Sequence, residues 1–202
     1  MADADQHRRW NHNLHYHRLV LEHVPDGARS ALDVGTGNGL LAADLREVVP
    51  EVVAIDADAD VLAAAAGEVA GVEWICGDVM DYPFGRTFDV VASVATLHRL
   101  PDPAAALRRL SGLVAPGGVL VVVGLARSST ITDFACDAAG AVAHRWLQRH
   151  NGYWEHSAPI ASPSHTYAQL RKCADAVLPG ATFKRLPLFR YAVIWRNGGL
   201  IS

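Results

Sequence analysis

The segment LDVGTGNG (32–39) is a glycine-rich turn lying between an apolar run and a helical pattern. Gly35 and Gly37 let the backbone turn tightly and approach a ligand without a Cβ clash, and Gly39 opens the helix against the strand. At the carboxyl end of a first strand, such a turn is where open α/β sheets bind nucleotides. Asp33 sets a carboxylate just before the turn, where it would attract a cationic ligand. Asp56 ends the next apolar run, seventeen residues after Gly39, where an acidic side chain can accept from both hydroxyls of a ribose. Asp78, in CGDVMDYPF (76–84), follows the third run, where a carboxylate can accept from an exocyclic adenine amine. Structural roles remain open for each: Asp56 as a helix cap, Asp78 as a turn cap and Asp33 as a loop organiser. Singly those roles are at least as good; in this order and together, a nucleoside site is the better account.

The elements that must carry these residues alternate. SALDV (30–34) precedes a helical stretch LLAADLREVV (40–49), in which Leu41, Leu45 and Val48 share a face. EVVAID (51–56), the alanine-rich helix 56–70, VEWIC (72–76), FDVVASVA (88–95), the helix PAAALRRLSGLV (103–114) and GGVLVVVGLA (117–126) follow. Continuous Val/Ile/Leu runs between helices predict a parallel sheet covered on both faces. Asp102-Pro103 reads as a cap with proline at the first helical position, and Pro116-Gly117-Gly118 as a turn. After residue 126 the alternation breaks. A helix is expected over 132–149, then a Pro/Ser-rich stretch (158–165), then a helix 167–177 capped by Thr166. Residues 181–197 read as an edge hairpin divided at Leu186-Pro187, with Arg190 and Tyr191 on the surface and Trp195 in the core.

The glycine spacing distinguishes two ligands. A dinucleotide fingerprint is G-x-G-x-x-G with a pyrophosphate at the helix N-terminus. Here the run is G-T-G-N-G behind Asp33, and a carboxylate there repels pyrophosphate but attracts an ammonium and a sulfonium. With VVAIDAD (52–58), GDVMDYPF (77–84), FDVVASVATLHRL (88–100) and LVAPGGVLVVVG (113–124), the chain resembles the class I, Rossmann-like S-adenosylmethionine-dependent methyltransferases, in their small-molecule (type 11-like) branch, through about residues 30–126. The resemblance implies an α/β fold: a seven-stranded, mostly parallel sheet with helices on both faces and an antiparallel last strand. It implies S-adenosylmethionine as cofactor and S-adenosylhomocysteine as product. Asp33, Gly35, Thr36 and Gly37 would line the methionine moiety, Asp56 and Ala57 the ribose, Gly77, Asp78 and Val79 the adenine, and Val94 or Ala95 the floor under the sulfonium. No Asn-Pro-Pro-Tyr-like segment follows the fourth strand, which carries Ser-Val-Ala-Thr (93–96), so base methylation is disfavoured.

Methyl transfer from a sulfonium is an in-line displacement, for which alignment in a dry pocket is the main requirement. A base is needed only for an acceptor that must shed a proton early. His98, at the end of the fourth strand, is a candidate for that role or for orienting substrate; packing behind the cofactor is the more economical reading. Ten histidines are present, and five of them (His7, His12, His15, His17 and His23) precede residue 24. On a helical wheel Trp10, Leu14, Val20, Leu21 and Val24 share an arc with Asn13 and His17, and His12, Tyr16, Leu19 and His23 lie beside it. Members of the family commonly cover the cofactor with an N-terminal helix, so Tyr16 and His17 are candidates to face the pocket. His12, His15 and His17 diverge on a helix, so no metal site is expected. Between strand 5 and the last helix, Arg127, Trp146 and Trp154 are the candidate substrate contacts, on a cap suited to stack on a planar molecule.

Length and composition frame this reading. The chain has 202 residues, half of them hydrophobic, and a formal net charge of −3, which excludes a disordered chain and gives no basic field for nucleic acid. Three scattered cysteines indicate neither a disulfide framework nor a zinc knuckle, so buried free thiols are expected. One domain is expected over 1–202: an N-terminal lid helix (1–28), a cofactor-binding core (30–126), a substrate-cap insertion (127–165) and a C-terminal helix with hairpin (166–202). The expected partner is a small-molecule substrate, with neither nucleic acid nor membrane, in a cytoplasmic monomer or homodimer. The alternatives are a catalytically silent cofactor-binding protein, a protein methyltransferase and, less favoured, a NAD-dependent oxidoreductase.

Overall fold

A computed structural model describes residues 14–131, 133, 163–187 and 190–198. His7, Trp10, His12, Cys136, Trp146 and Trp154, and the helix expected over 132–149 apart from Asp133, lie outside these residues.

Seven strands, β1 (Ser30–Val34), β2 (Glu51–Asp56), β3 (Val72–Cys76), β4 (Phe88–Val94), β5 (Val114–Leu125), β6 (Thr182–Leu186) and β7 (Arg190–Arg196), form one sheet in the order β3-β2-β1-β4-β5-β7-β6. The first five are parallel, and β7 runs antiparallel to both β5 and β6. The helices are α1 (His17–Leu21, preceded by a 3₁₀ turn Leu14–Tyr16), α2 (Leu40–Arg46), α3 (Ala59–Glu68), α4 (Pro103–Gly112) and α5 (Tyr167–Val177). The central strands are apolar on both faces because helices cover both. Leu32, Val34, Val91 and Leu120 pack with α4 and α5, while Ala31, Val90, Val119 and Val121 pack with α1 and α2. By the two-residue alternation of a strand, Asp33 belongs with Ala31 on the α1/α2 face.

The capping chemistry is local, and it holds. The Asp102 carboxylate accepts from the Ala104 and Ala105 amides at 2.8 and 3.1 Å. Thr166 and Gln169 form a reciprocal capping box on α5. Asp58, rather than Asp56, caps α3 through the Asp60 and Val61 amides. Other expectations fail. The helix expected over 40–49 ends at Arg46, which turns Val48 outward (52% exposed) and buries Val49 instead. The Pro116-Gly117-Gly118 turn lies inside a strand that already starts at Val114, where the register against β4 shifts. The hairpin is not wholly at the edge: β7 is inserted between β5 and β6, so Arg190 and Tyr191 are buried and Trp195 only partly so. Cys76 is exposed and Cys173 half-buried, against the expectation of buried thiols.

Two connections bear on the carboxyl end of the sheet. The Arg127 amide donates to the His165 carbonyl at 2.8 Å, and Arg127 bridges Thr166, so the two ends of the stretch 128–164 meet in a narrow neck. The Tyr16 hydroxyl donates to the Pro187 carbonyl, which ties the N-terminal turn to the β6–β7 connection.

Candidate functional site

The turn after β1 is built from left-handed glycines. Gly35, Gly37 and Gly39 have φ of +70°, +53° and +74°, a region that costs other residues about 1–2 kcal/mol each. Their surroundings differ. A Cβ at Gly35 would collide with the Thr96 side chain, and one at Gly39 would stand 2.6 Å from the Trp74 ring, so both are close approaches within the protein. A Cβ at Gly37 would meet nothing within 4 Å. The loop backbone is therefore open at Gly37, as a surface approached by a ligand must be.

Asp33 lies beneath this loop, 2% exposed, accepting from the Thr36 hydroxyl at 2.6 Å. Burial pushes its carboxyl up to about 6, partly opposed by the Thr36 hydrogen bond and the nearby His17, with Asp56 adding to the rise. Its ionised form is thus undercompensated inside the protein. Asp56, at the end of β2, accepts from the Gly37 amide at 2.8 Å on one oxygen and from the Asp58 amide at 3.0 Å on the other. A carboxylate offers about four lone-pair sites, so two remain for vicinal hydroxyls, with the group already aimed by the backbone. Ala57 is exposed next to it. Asp78 is exposed and accepts from the Met80 amide at 2.9 Å, a turn-capping geometry.

Val79 is buried, and its carbonyl accepts from Arg109 Nε at 2.9 Å; the same guanidinium holds the Tyr82 carbonyl. Arg109 thus fixes the loop after β3, a role hidden within an ordinary helical pattern. Gly77 packs beside Tyr82. At the end of β4, Val94 is half-buried and Ala95 has φ of +58°, a left-handed backbone seen nowhere else among the described non-glycine residues. Such strain is held by its surroundings, here by the Ala95 amide donating to the Val123 carbonyl at 2.8 Å and by Thr96 Oγ1 on the Gly35 and Val94 carbonyls. Thr96 links the ends of β1 and β4, and it is legible in sequence only as one letter of a strand end.

The histidines separate by environment. His17 is buried, with Nδ1 2.6 Å from Asp44 on α2, and it packs the N-terminal turn onto the helix that follows the glycine loop. His15 is exposed, and His23 bonds the Leu19 carbonyl at 2.8 Å. His98 Nδ1 is buried with no hydrogen-bond partner among the described residues. Burial, then the neighbouring Arg99 and Arg190, pulls its imidazole down to about 4, so it is neutral at physiological pH. It lines a small crevice with Leu97, Leu125, His165, Leu170 and Tyr191. Tyr16 is buried, and burial raises its hydroxyl to about 12 against the opposing charge of Arg190. Arg127, expected on the substrate side, is exposed at the neck.

The glycine loop, Asp33, Asp56 and the β3 loop thus converge on one end of the sheet in an arrangement that fits a ribose-bearing cation. A methyltransferase-domain family matches residues 32–122. The chain is similar to an uncharacterised methyltransferase of Mycobacterium tuberculosis, 42% identical over 191 residues, covering 93% of this chain and 96% of that one. It is also 30% identical over 129 residues to a ubiquinone biosynthesis O-methyltransferase of Rhodopseudomonas palustris, covering 61% of this chain and 50% of that one. Among solved structures, the DhpI–SAH complex shares the fold with a TM-score of 0.62 at 23% identity, over 91% of this chain and 84% of that one. The chain belongs to the class I, Rossmann-like S-adenosylmethionine-dependent methyltransferases.

Proposed function

We propose that this methyltransferase binds S-adenosylmethionine at the β1–β3 end of the sheet and methylates a small organic molecule held over β4, β5 and β7. When bound, the cofactor supplies a methyl carbon on a sulfonium, whose bonding pair stays with sulfur as an acceptor lone pair takes the methyl. The observation that carries the reading is Asp33: a buried carboxyl under the glycine loop, bonded by Thr36 and raised by burial, is stabilised as an anion by an adjacent cation.

Around it, Gly35, Thr36 and Gly37 present the loop backbone to the methionine end, and Asp56 beside Ala57 accepts from the ribose. Gly77, Asp78 and Val79 border the adenine, with their loop fixed by Arg109. Val94 and Ala95 form the floor at the β4 end, and Tyr16 and His17 cover the site from the N-terminal turn. His98, neutral and facing the crevice, orients the acceptor rather than taking its proton. The small-molecule assignment is supported by the ubiquinone biosynthesis O-methyltransferase relative.

Two measurements test this. Calorimetric titration with S-adenosylhomocysteine, run beside NAD, gives heat with the former alone; the reverse result would sink the cofactor assignment. Labelled S-adenosylmethionine incubated with a metabolite extract, and separately with an extract of proteins, places label in a small molecule. Label in protein instead identifies a protein methyltransferase, and no label with bound cofactor identifies a silent binder.

A further inference from the structure

We propose that Arg109 is a positioning residue for base recognition: acting through the Val79–Met80 peptide, it holds the Asp78 carboxylate in register with the adenine and so sets the preference for that base. The inference rests on the adenine placement proposed above and adds the residue that governs its selectivity.

The loop after β3 is a single hydrogen-bonded turn. The Asp78 carbonyl accepts from the Asp81 and Tyr82 amides at 3.2 and 2.9 Å, and one oxygen of the Asp78 carboxylate accepts from the Met80 amide at 2.9 Å. From α4, Arg109 Nε donates to the Val79 carbonyl at 2.9 Å and Nη2 to the Tyr82 carbonyl. The Val79 carbonyl and the Met80 amide belong to the same peptide group, which is planar and stiff. That one plane is therefore held from both sides, by the guanidinium on its oxygen and by the Asp78 carboxylate on its N–H. A charged donor on the carbonyl also polarises the amide, so the Met80 N–H grips the carboxylate more firmly. The guanidinium itself is steadied: it rises from a helix turn whose Ala106, Leu107 and Leu110 are buried, and its Cζ stands 5.9 Å from the centre of the Phe84 ring.

What this arrangement leaves unbonded is a matched pair. The second Asp78 oxygen and the Val79 amide have no partner among the described residues, so one acceptor and one donor stand on adjacent residues at the carboxyl end of β3. Adenine carries their complement on its Watson–Crick edge, where the exocyclic amine donates and the ring nitrogen beside it accepts. Hypoxanthine has a carbonyl in place of the amine and an N–H on that ring nitrogen, which reverses both. A site built to bond one pattern rejects the analogue that leaves its polar atoms unpaired. Such discrimination needs the carboxylate in one orientation. Asp78 is exposed and has a single amide contact on its side chain, so alone it would turn freely about its side-chain bonds. Arg109 removes that freedom from the far end of the peptide.

The test is calorimetric titration of the full chain with S-adenosylhomocysteine and with S-inosylhomocysteine, its hypoxanthine counterpart. The wild-type chain is expected to bind the first at least about tenfold more tightly than the second. Arg109→Met, which keeps the stem and removes the fork, brings the two affinities together by weakening S-adenosylhomocysteine about tenfold. Arg109→Lys keeps a charge that can reach one carbonyl and holds an intermediate ratio. Arg108→Gln, at the exposed neighbouring position, leaves both affinities as they are. The decisive comparison is Asp78→Ala with and without Arg109→Met: because Arg109 acts through the Asp78 carboxylate, the second substitution takes nothing further from the ratio. Equal weakening of both ligands in Arg109→Met marks a merely structural effect and overturns the proposal, as does an additive loss of the ratio in the double variant. If Arg109→Met does not fold, Arg109→Lys carries both comparisons. Equal affinity of the wild-type chain for the two ligands overturns the proposal without recourse to any variant, and a wild-type chain that binds neither overturns the cofactor reading instead.

Discussion

The Gly37 amide donates to the Asp56 carboxylate at 2.8 Å, across the gap between the turn after β1 and the end of β2. The loop and the carboxylate that we propose for the cofactor and its ribose are therefore one hydrogen-bonded unit. Asp56→Ala should weaken S-adenosylhomocysteine binding by about 1.5–3 kcal/mol, the range for hydrogen bonds to a charged group. Asp58→Ala, which removes only the α3 cap, should cost about 1 kcal/mol of stability with affinity unchanged. Calorimetry and chemical denaturation separate the two; unchanged affinity in Asp56→Ala would refute the ribose assignment.

Gly35 and Gly37 share a backbone conformation but not surroundings. Gly37→Ala should fold with a loss of about 1–2 kcal/mol from the left-handed backbone alone, while cofactor affinity falls more than tenfold. Gly35→Ala should unfold the domain or lower its melting temperature much further, because Thr96 occupies the space. Adding Thr96→Gly should recover part of that loss. A Gly37→Ala protein that binds S-adenosylhomocysteine normally would mean that the loop does not face the ligand.

At the proposed cofactor site, Asp33 would link binding to pH. Its carboxyl is raised from 3.8 to about 6 in the folded chain, so the folded state holds a proton that the unfolded state has released. Stability from this group is complete below pH 4 and lost as pH rises toward 6 and above, by about 3 kcal/mol for a shift of two units. Asp33→Asn should therefore melt at higher temperature than wild type at pH 7.5, with the difference shrinking by pH 4.5. Cofactor affinity should move oppositely. Wild-type binding of S-adenosylmethionine weakens as pH falls below about 6, approaching tenfold per unit, with a proton released on binding that calorimetry in two buffers can count. A pH-independent affinity between 5 and 7.5 would exclude Asp33 as the group facing the cation.

His98 is held neutral, its imidazole lowered to about 4 by burial and by Arg99 and Arg190. An orienting histidine in that state gives a flat pH-rate profile between 6 and 8, and His98→Gln should lower kcat less than tenfold. Proton abstraction is worth about 10²–10⁴ in rate. A loss of that size in His98→Gln, together with disappearance of an acidic limb, would make it the base.

What the sequence revealed was the chemistry whose parts lie close along the chain. The glycine turn, the Asp56 strand end and the caps Asp102 and Thr166 are set by residues within a few positions of one another, and each stands where the pattern put it. Val48 and Val49 exchanged places because a helix ending three residues early rotates everything after it. Arg190 and Tyr191 look like surface in the sequence because nothing local announces that β7 enters between β5 and β6. That placement also buries Tyr191 against Gly124, where a Cβ would strike its hydroxyl. Arg109 and Thr96 carry no local signal for the same reason: each donates to a backbone carbonyl that is remote in sequence.

The neck at Arg127 and His165 has an evolutionary consequence. Because one backbone hydrogen bond joins the two ends of the intervening 37 residues, while Asp133 within them holds Arg185 of β6, changing the length of the stretch beyond Asp133 adds little closure entropy. Insertions and deletions there leave the pairing of the seven strands untouched, so the length of this connection can drift between relatives while the sheet is inherited unaltered.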